Sequence, residues 1–228
     1  MIPLRDSIRP RKKPYVNWLL IAVNLVVFFY GLGLTTAQRE ELYFRYGLIP
    51  GKVFHLVVSG SPLEPLALPF LSAMFLHGGW FHLIGNMWYL WIFGDNLEDR
   101  LGHLRYLFFY LAAGIVGSVA HILTNPVSPV PIIGASGAIA GVLGGYFVTF
   151  PRSRVLALVP VFFFFTLMEV PAVLYLALWF ILQLFNGTLA LGGVANPVAW
   201  WAHIGGFLGG ILLMKLLVPR RVWAGPFR

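Results

Sequence analysis

The sequence contains no cysteine, and charged residues make up only 11% of its 228 residues. Without cysteine the chain has no disulfide, no thiol nucleophile and no thiolate metal site. A soluble domain usually has about a quarter of its residues charged, whereas 59% of this sequence is hydrophobic and its mean hydropathy is +0.81. These values exclude an ordinary soluble domain and indicate an integral membrane protein, and the length suits one domain over 1–228.

Acidic residues are also scarce, since Asp and Glu number eight against sixteen Lys and Arg. There is no H-E-x-x-H motif, and no carboxylate lies close in sequence to His77, His82 or His203. We therefore expect no catalytic metal, no cofactor and no acidic member of a serine triad. The net charge of +8 could suit nucleic acid, but no continuous basic face with interleaved aromatic residues is present. The charge is better explained by basic loops on the cytoplasmic side of a membrane.

Six apolar stretches reach or approach the 20 or so residues that a membrane-spanning helix needs. We place spans near 16–34, 78–94, 104–124, 134–150, 170–187 and 200–218. The first stretch follows a basic segment as in a signal peptide, but its apolar core is too long for one. The predicted fold is an all-α membrane protein with a bundle of six transmembrane helices.

Two segments allow more than one interpretation. Residues 155–165 are apolar but short, and Pro160 would interrupt a helix there. We interpret 155–169 as a short segment at the inner interface leading into the fifth span, with a seventh span as the alternative. The outer loop 35–76 has aromatic residues and an apolar run at 53–58, which indicate interfacial helices or a small folded plug.

The basic residues fall almost entirely on one side of this topology. Outer loops contain only Arg39, Arg45 and Lys52, and the loops near 125–133 and 188–199 have no Lys or Arg. The inner termini and loops contain Arg5, Arg9, Arg11, Lys12, Lys13, Arg100, Arg105, Arg152, Arg154, Arg220, Arg221 and Arg228. This distribution predicts that both termini are cytoplasmic.

Polar clusters stand at the start of the second, fourth and sixth spans. His82 and Asn86 belong to the second, Ser136 follows Gly134 at the start of the fourth, and His203 lies near the start of the sixth. In the predicted topology all three starts face the outer side at a similar depth. Polar side chains within a bilayer are costly, so each cluster is a functional hypothesis.

Ser136 and His203 have the chemistry of a nucleophile and its general base. Prolines at 126, 129 and 131 favour extended chain before a helix N-terminus, where free N–H groups favour negative charge. Glycines spaced by four in the fourth and sixth spans would let the two helices approach closely and bring the two side chains together. The alternatives are a serine that only caps its helix and a histidine that only packs against a carbonyl group.

His82 and Asn86 are four residues apart and therefore share a helix face. Both can donate hydrogen bonds, so with the Ser136 amide they could form an oxyanion hole. The alternative is that they bind loop carbonyl groups, and we assign that structural role to His77.

Three motifs resemble those of the rhomboid intramembrane serine proteases. They are His82-x-x-x-Asn86, Gly134-x-Ser136-Gly137 and Ala202-His203-x-x-Gly206-x-x-x-Gly210. Glu98-x-Arg100-x-Gly102 is similar to the charged loop that follows the second span in that family, and the likeness covers about residues 62–218. The sequence departs from the family at Leu68-Pro69, where a Trp-Arg pair is common, and at Ala140, where an aromatic residue often stacks on the histidine.

The resemblance implies a six-helix core that cleaves transmembrane protein substrates in the lipid bilayer. Ser136 would be the nucleophile, His203 the base, and His82 and Asn86 the side-chain donors of the oxyanion hole. We expect a multi-pass protein in the plasma membrane of a prokaryote, with an oligomeric state that the sequence leaves open. The alternatives are a catalytically silent rhomboid-like protein that binds membrane clients, and a channel or transporter whose histidines line a pore.

Overall fold

The computed structural model describes residues 1–161, 164–192 and 198–218, and it consists mostly of helices. Within these ranges, four helices are long and apolar enough to cross a membrane: α1 (Tyr15–Leu32), α6 (His103–Thr124), α8 (Ala172–Leu191) and α9 (Trp200–Leu217). Helix α5 (Trp80–Leu101) passes the same test together with the segment Glu64–Phe75, from which it is bent by 85°. Helix α7 (Ser136–Thr149) is apolar but only 14 residues long. The chain is therefore a multi-pass membrane protein, and the number of six spans stays a prediction.

Helix α7 packs closely against α9 through small residues, as the glycine spacing predicted. A Cβ atom at Gly206 would collide with the carbonyl oxygen of Gly137, and one at Gly210 with that of Gly141. The pairs follow each other in the same order, so α7 and α9 run in the same direction. Because no side chain separates the backbones here, the starts of the two helices lie side by side.

Helix α5 continues to Leu101, beyond the predicted end of the second span at 94. The stretch expected to be a charged loop is helical, and Glu98 within it is only 1% exposed. Its carboxylate accepts the backbone N–H groups of Val16 at 3.0 Å and Asn17 at 2.7 Å. These N–H groups belong to the first turn of α1 and have no partner inside that helix. The buried Glu98 side chain thus caps the N-terminus of α1.

A small antiparallel sheet departs from the all-α expectation. Strand β1 (Ile2–Asp6) pairs with β2 (Arg154–Val161), which forms a hairpin with β3 (Phe164–Pro171). Valine and phenylalanine favour strands, and Pro160 excludes a helix, so the segment 155–169 forms the hairpin and leads directly into α8. The described residues of this segment form strands and not the helix that a seventh span would need. No sequence pattern predicted β1, since a five-residue strand depends on its distant partner.

The sheet lies at the ends of α5 and α7, opposite to where these helices start. Asp6 of β1 accepts hydrogen bonds from the hydroxyl of Tyr146 at 2.5 Å and the side-chain amide of Asn96 at 2.8 Å. Both donors belong to the C-terminal halves of their helices. The N-terminal ends of α5, α7 and α9 therefore meet at the other end of the bundle. Which membrane side each end faces stays a prediction, and Arg220, Arg221 and Arg228 lie outside the described residues.

Residues 35–76 contain short helices, as predicted: α2 (Thr36–Tyr46), α3 (Pro50–Val58) and α4 (Ala67–Ser72). They are tied to the bundle by a cluster of buried side chains and by a backbone bridge between Leu48 and Ile132. The buried cluster comprises Leu48, Val53, Leu66, Ala73 and Ile122. This apolar contact anchors the segment even though Leu68-Pro69 replaces the Trp-Arg pair. Part of the loop 188–199, residues 193–197, lies outside the described residues.

Candidate active site

A cavity of about 1190 Å³ opens where the N-terminal ends of α5, α7 and α9 meet. The four residues predicted for the site, His82, Asn86, Ser136 and His203, all line this cavity. Gln183 of α8 lines it too, although the sequence interpretation did not include it. Four different helices therefore contribute polar side chains to one space inside an apolar bundle.

Ser136 is the first residue of α7, and its hydroxyl faces α9. The chain enters the helix through Gly134, whose φ of +121° is a conformation that residues with a side chain rarely adopt. The Gly134 N–H donates to the carbonyl oxygen of Ala73 at 2.8 Å, which fixes this turn. The N-cap position is Ala135, which makes no side-chain cap bond. The interpretation of Ser136 as a helix cap is therefore wrong, because its Oγ lies 2.8 Å from Nε2 of His203.

His203 is held at both ring nitrogens and flanked by aromatic rings. Nε2 contacts Ser136, and Nδ1 lies 2.9 Å from Oε1 of Gln183. The ring centroid of Trp179 lies 6.1 Å away at a 32° tilt, and that of Trp200 lies 5.9 Å away edge-on. These two tryptophans supply the aromatic packing that Ala140 does not. His203 is therefore more than a packing histidine bonded to a carbonyl group.

His82 and Asn86 lie beside the turn that leads into Ser136. A Cβ atom at Gly134 would stand 2.5 Å from Nε2 of His82 and 3.8 Å from Nδ2 of Asn86. Both donors thus reach the chain two residues before Ser136, close to the free N–H groups at the start of α7. An oxygen anion bound in this corner would meet a helix N-terminus and two neutral donors.

His77 makes contacts that fit the structural role predicted for it. It is 3% exposed, and its Nε2 accepts a hydrogen bond from the Asn86 amide at 2.9 Å. Its backbone carbonyl accepts a bond from the Tyr43 hydroxyl at 3.0 Å, which links α2 to the site. An amide nitrogen has two hydrogens, so Asn86 can be oriented by His77 and still donate a second bond.

The family model for the rhomboid domain matches residues 66–220, more than half of the chain and including the whole cavity wall from α5 onward. The chain belongs to the rhomboid family. It is 36% identical over 132 residues to rhomboid protease GluP of Bacillus subtilis, covering 58% of this chain and 24% of GluP. It is 32% identical over 250 residues to RHOMBOID-like protein 5 of Arabidopsis thaliana, covering 98% of this chain and 76% of that relative.

A human relative, the mitochondrial presenilin-associated rhomboid-like protein, is 27% identical over 227 residues, covering 90% of this rhomboid and 54% of the relative. The chain thus spans about a quarter of GluP and about half of the human protein. The relatives come from a bacterium, a plant and human mitochondria, so family membership does not by itself specify a compartment.

Gln183 is the site residue of this rhomboid that sequence reasoning missed. A polar side chain in the middle of an apolar span is a functional hypothesis by default, and this rule would have singled it out. It was overlooked because glutamine is neither a nucleophile nor a base and belongs to none of the three motifs. Among the described residues, no three His, Asp or Glu side chains are grouped so as to hold a metal ion. Where α5, α7, α8 and α9 meet, the polar side chains that line the cavity offer a hydroxyl, imidazole rings and amide groups.

Proposed function

We propose that this rhomboid is a serine endopeptidase that cleaves transmembrane protein substrates inside the lipid bilayer. The observation that carries the proposal is the 2.8 Å contact between Ser136 Oγ and His203 Nε2, located in a cavity of a membrane-spanning bundle. A hydroxyl alone is a weak nucleophile, and an adjacent neutral imidazole is what activates it. A catalytically silent client-binding protein would have no need of this contact.

The reaction follows from the positions of the groups. His203 accepts the proton of Ser136 as the serine oxygen attacks the carbonyl carbon of the scissile peptide bond. The tetrahedral oxyanion is stabilised by the Ser136 amide together with His82 and Asn86. The C–N bond then breaks as His203 gives the proton to the leaving amine, which leaves an acyl-enzyme. His203 next takes a proton from the water molecule that attacks the acyl carbon, and it returns this proton to the Ser136 oxygen as the ester bond breaks. The protons and bonds balance without a third acid.

The proposed substrates are transmembrane segments, because the site is enclosed by helices that lipid surrounds. They would enter between α5 and α8, whose residues Tyr89 and Trp179 line the same cavity. The positive-inside distribution and the bacterial relative GluP support the plasma membrane of a prokaryote as the location. In that orientation the cavity opens towards the outer side.

The test is cleavage of a model transmembrane substrate by the purified chain in liposomes. We expect Ser136→Ala and His203→Ala each to abolish cleavage and the double variant to be no worse, because both residues serve one step. Ser118→Ala, which changes another serine of the cavity wall, should remain active and is the matched control.

A serine-reactive phosphonate should label the wild type and not Ser136→Ala. An unlabelled wild type that still binds membrane proteins would favour the silent rhomboid-like alternative. Solute flux through the reconstituted protein without labelling would favour a channel. Either result would overturn the proposal.

A further inference from the structure

Gln183 makes two side-chain hydrogen bonds in the middle of the mostly apolar helix α8. It is 7% exposed, and its amide nitrogen donates to the backbone carbonyl of Trp179, one turn earlier in α8, at 3.1 Å. Its amide oxygen lies 2.9 Å from Nδ1 of His203. Both ends of the amide are therefore engaged, one with its own helix and one with the proposed base on α9.

These contacts determine which nitrogen of His203 carries the proton. A backbone carbonyl can only accept a hydrogen bond, so the group that faces Trp179 must be the NH₂ of Gln183. Its oxygen then faces the imidazole, and since this oxygen can only accept, Nδ1 of His203 must donate. A neutral imidazole has one N–H, so Nε2 presents its lone pair to the Ser136 hydroxyl. The reverse amide orientation would place an N–H on Nε2, where it could not accept the serine proton.

We propose that Gln183 is a positioning residue that holds His203 in the one tautomer able to accept the proton of Ser136. This inference rests on the proposed protease function and adds a third member to what the sequence predicted as a Ser–His dyad. In serine proteases of soluble folds a buried carboxylate orients the histidine. A neutral amide performs the orienting part of that role without a charge inside the bilayer, where an ionised carboxylate would be costly.

The amide and the imidazole belong to different helices, which gives the contact a second consequence. Gln183 is part of α8, one wall of the proposed substrate entrance, whereas His203 is part of α9. The bond at 2.9 Å therefore makes the state of the base depend on where α8 lies relative to α9. A shift of α8 by more than about 1 Å would break it, since hydrogen bonds weaken beyond roughly 3.2 Å.

The remaining groups around His203 do not replace this function. Trp179 and Trp200 flank the ring with their faces and edges. The titratable side chains that act electrostatically on His203 are His82 and His121, which are bases themselves. A carboxylate introduced at position 183 would therefore place a negative charge beside the imidazole, and its effect on the protonation of His203 can be measured.

The experiment compares three variants of the full chain in liposomes with a transmembrane substrate. Gln183→Met keeps the side-chain length and removes the acceptor. We expect kcat to fall about 10-fold to 100-fold with little change in KM, because a misoriented base loses part of the 10²–10⁴-fold that general-base catalysis contributes. Gln183→Glu keeps the acceptor, so kcat should stay within a few-fold of wild type at alkaline pH. The carboxylate favours the protonated imidazole, which should move the acid limb of the pH–rate profile to higher pH by about one unit.

Asn186→Leu is the matched control. Asn186 is a half-buried amide on the same helix with the same kind of bond, from its nitrogen to the Leu182 carbonyl at 2.7 Å, and it does not line the cavity. Its loss should leave kcat and the pH profile unchanged. Wild-type kcat in Gln183→Met, or an unmoved acid limb in Gln183→Glu, would overturn the proposal.

A spectroscopic measurement separates this inference from the proposed function. In ¹⁵N-histidine-labelled protein, the side-chain signals of His203, assigned by their loss in His203→Phe, should show protonation at Nδ1. Gln183→Met should give a mixture of tautomers. If wild type and Gln183→Met show the same His203 signals, the positioning role is refuted whether or not the protein cleaves substrate. A wild type that has the Nδ1–H tautomer but cleaves nothing would refute the protease function alone. If Gln183→Met melts at a lower temperature than wild type, its lower kcat could reflect damage to the fold. The shift of the acid limb in Gln183→Glu still tests the proposal in that case.

Discussion

Gly134 is the position where a single methyl group should disable the site with little damage to the fold. Its φ of +121° lies in a region that an alanine adopts only with strain, which costs about 1–3 kcal/mol. The added Cβ would also lie 2.5 Å from Nε2 and 2.7 Å from Cε1 of His82. Ordinary carbon contacts lie near 3.5 Å, so the His82 imidazole would have to move by about 1 Å. A displacement of that size can reduce turnover about 10²-fold.

We therefore expect Gly134→Ala to lower kcat about 10²-fold and to lower the melting temperature by a few degrees, at roughly 2–4 °C per kcal/mol for a chain of this size. The assay is cleavage of a transmembrane substrate in liposomes, with the melting temperature measured on the same preparation. Gly31→Ala is the control, because a Cβ there meets nothing within 4 Å and helical alanine is favoured over glycine by about 0.5–1 kcal/mol. It should melt no lower than wild type and cleave at the same rate.

The effect should depend on His82 being present. If Gly134→Ala acts by displacing that imidazole, it should cost much less in a His82→Ala background, since the two changes then remove the same interaction. Wild-type kcat in Gly134→Ala, or a full additional loss in the double variant, would refute the argument that His82 must lie against Gly134.

Three further predictions concern other parts of the chain. His82→Ala and Asn86→Ala should each lower kcat, by up to about 10²–10³-fold if they are oxyanion donors, and a lower melting temperature with unchanged kcat in both would instead make them structural. Burial raises the pKa of Asp6 to about 6 from 3.8, so the folded state binds a proton that the unfolded chain has lost, and stability should fall by up to about 3 kcal/mol as the pH rises from about 4 to 6. Asp6→Asn should make this slope shallower in a plot of melting temperature against pH, and an unchanged slope would contradict the assignment. Cysteines at positions 89 and 175, where the tyrosine hydroxyls lie 2.8 Å apart, should slow cleavage of a transmembrane substrate once a short bifunctional reagent joins them; full activity of the crosslinked protein would exclude entry between α5 and α8.

The sequence by itself was enough to find a helical membrane protein and four of the polar residues that line its cavity. In a chain with 11% charged residues, a polar side chain within an apolar span is conspicuous. Ser136, His203, His82 and Asn86 could therefore be found one by one, each at the start of its span. The glycine spacing added the packing of α7 on α9, since small residues four apart form a continuous helix face.

Only the tertiary structure could decide the contacts that depend on distant partners. The pairing of residues 2–6 with 154–158 joins segments about 150 positions apart, and an apolar run as short as 155–165 reads equally well as helix or strand until its partner is known. Glu98 was expected in a loop because the partners that make its burial favourable, among them the free N–H groups of α1, are distant in the sequence. The role of Gln183 also depends on a distant partner. Its Oε1 matters only because α8 lies against α9, which places this oxygen 2.9 Å from Nδ1 of His203. Polarity along the chain predicts which residues are candidates, but the geometry between helices determines which partner completes each hydrogen bond.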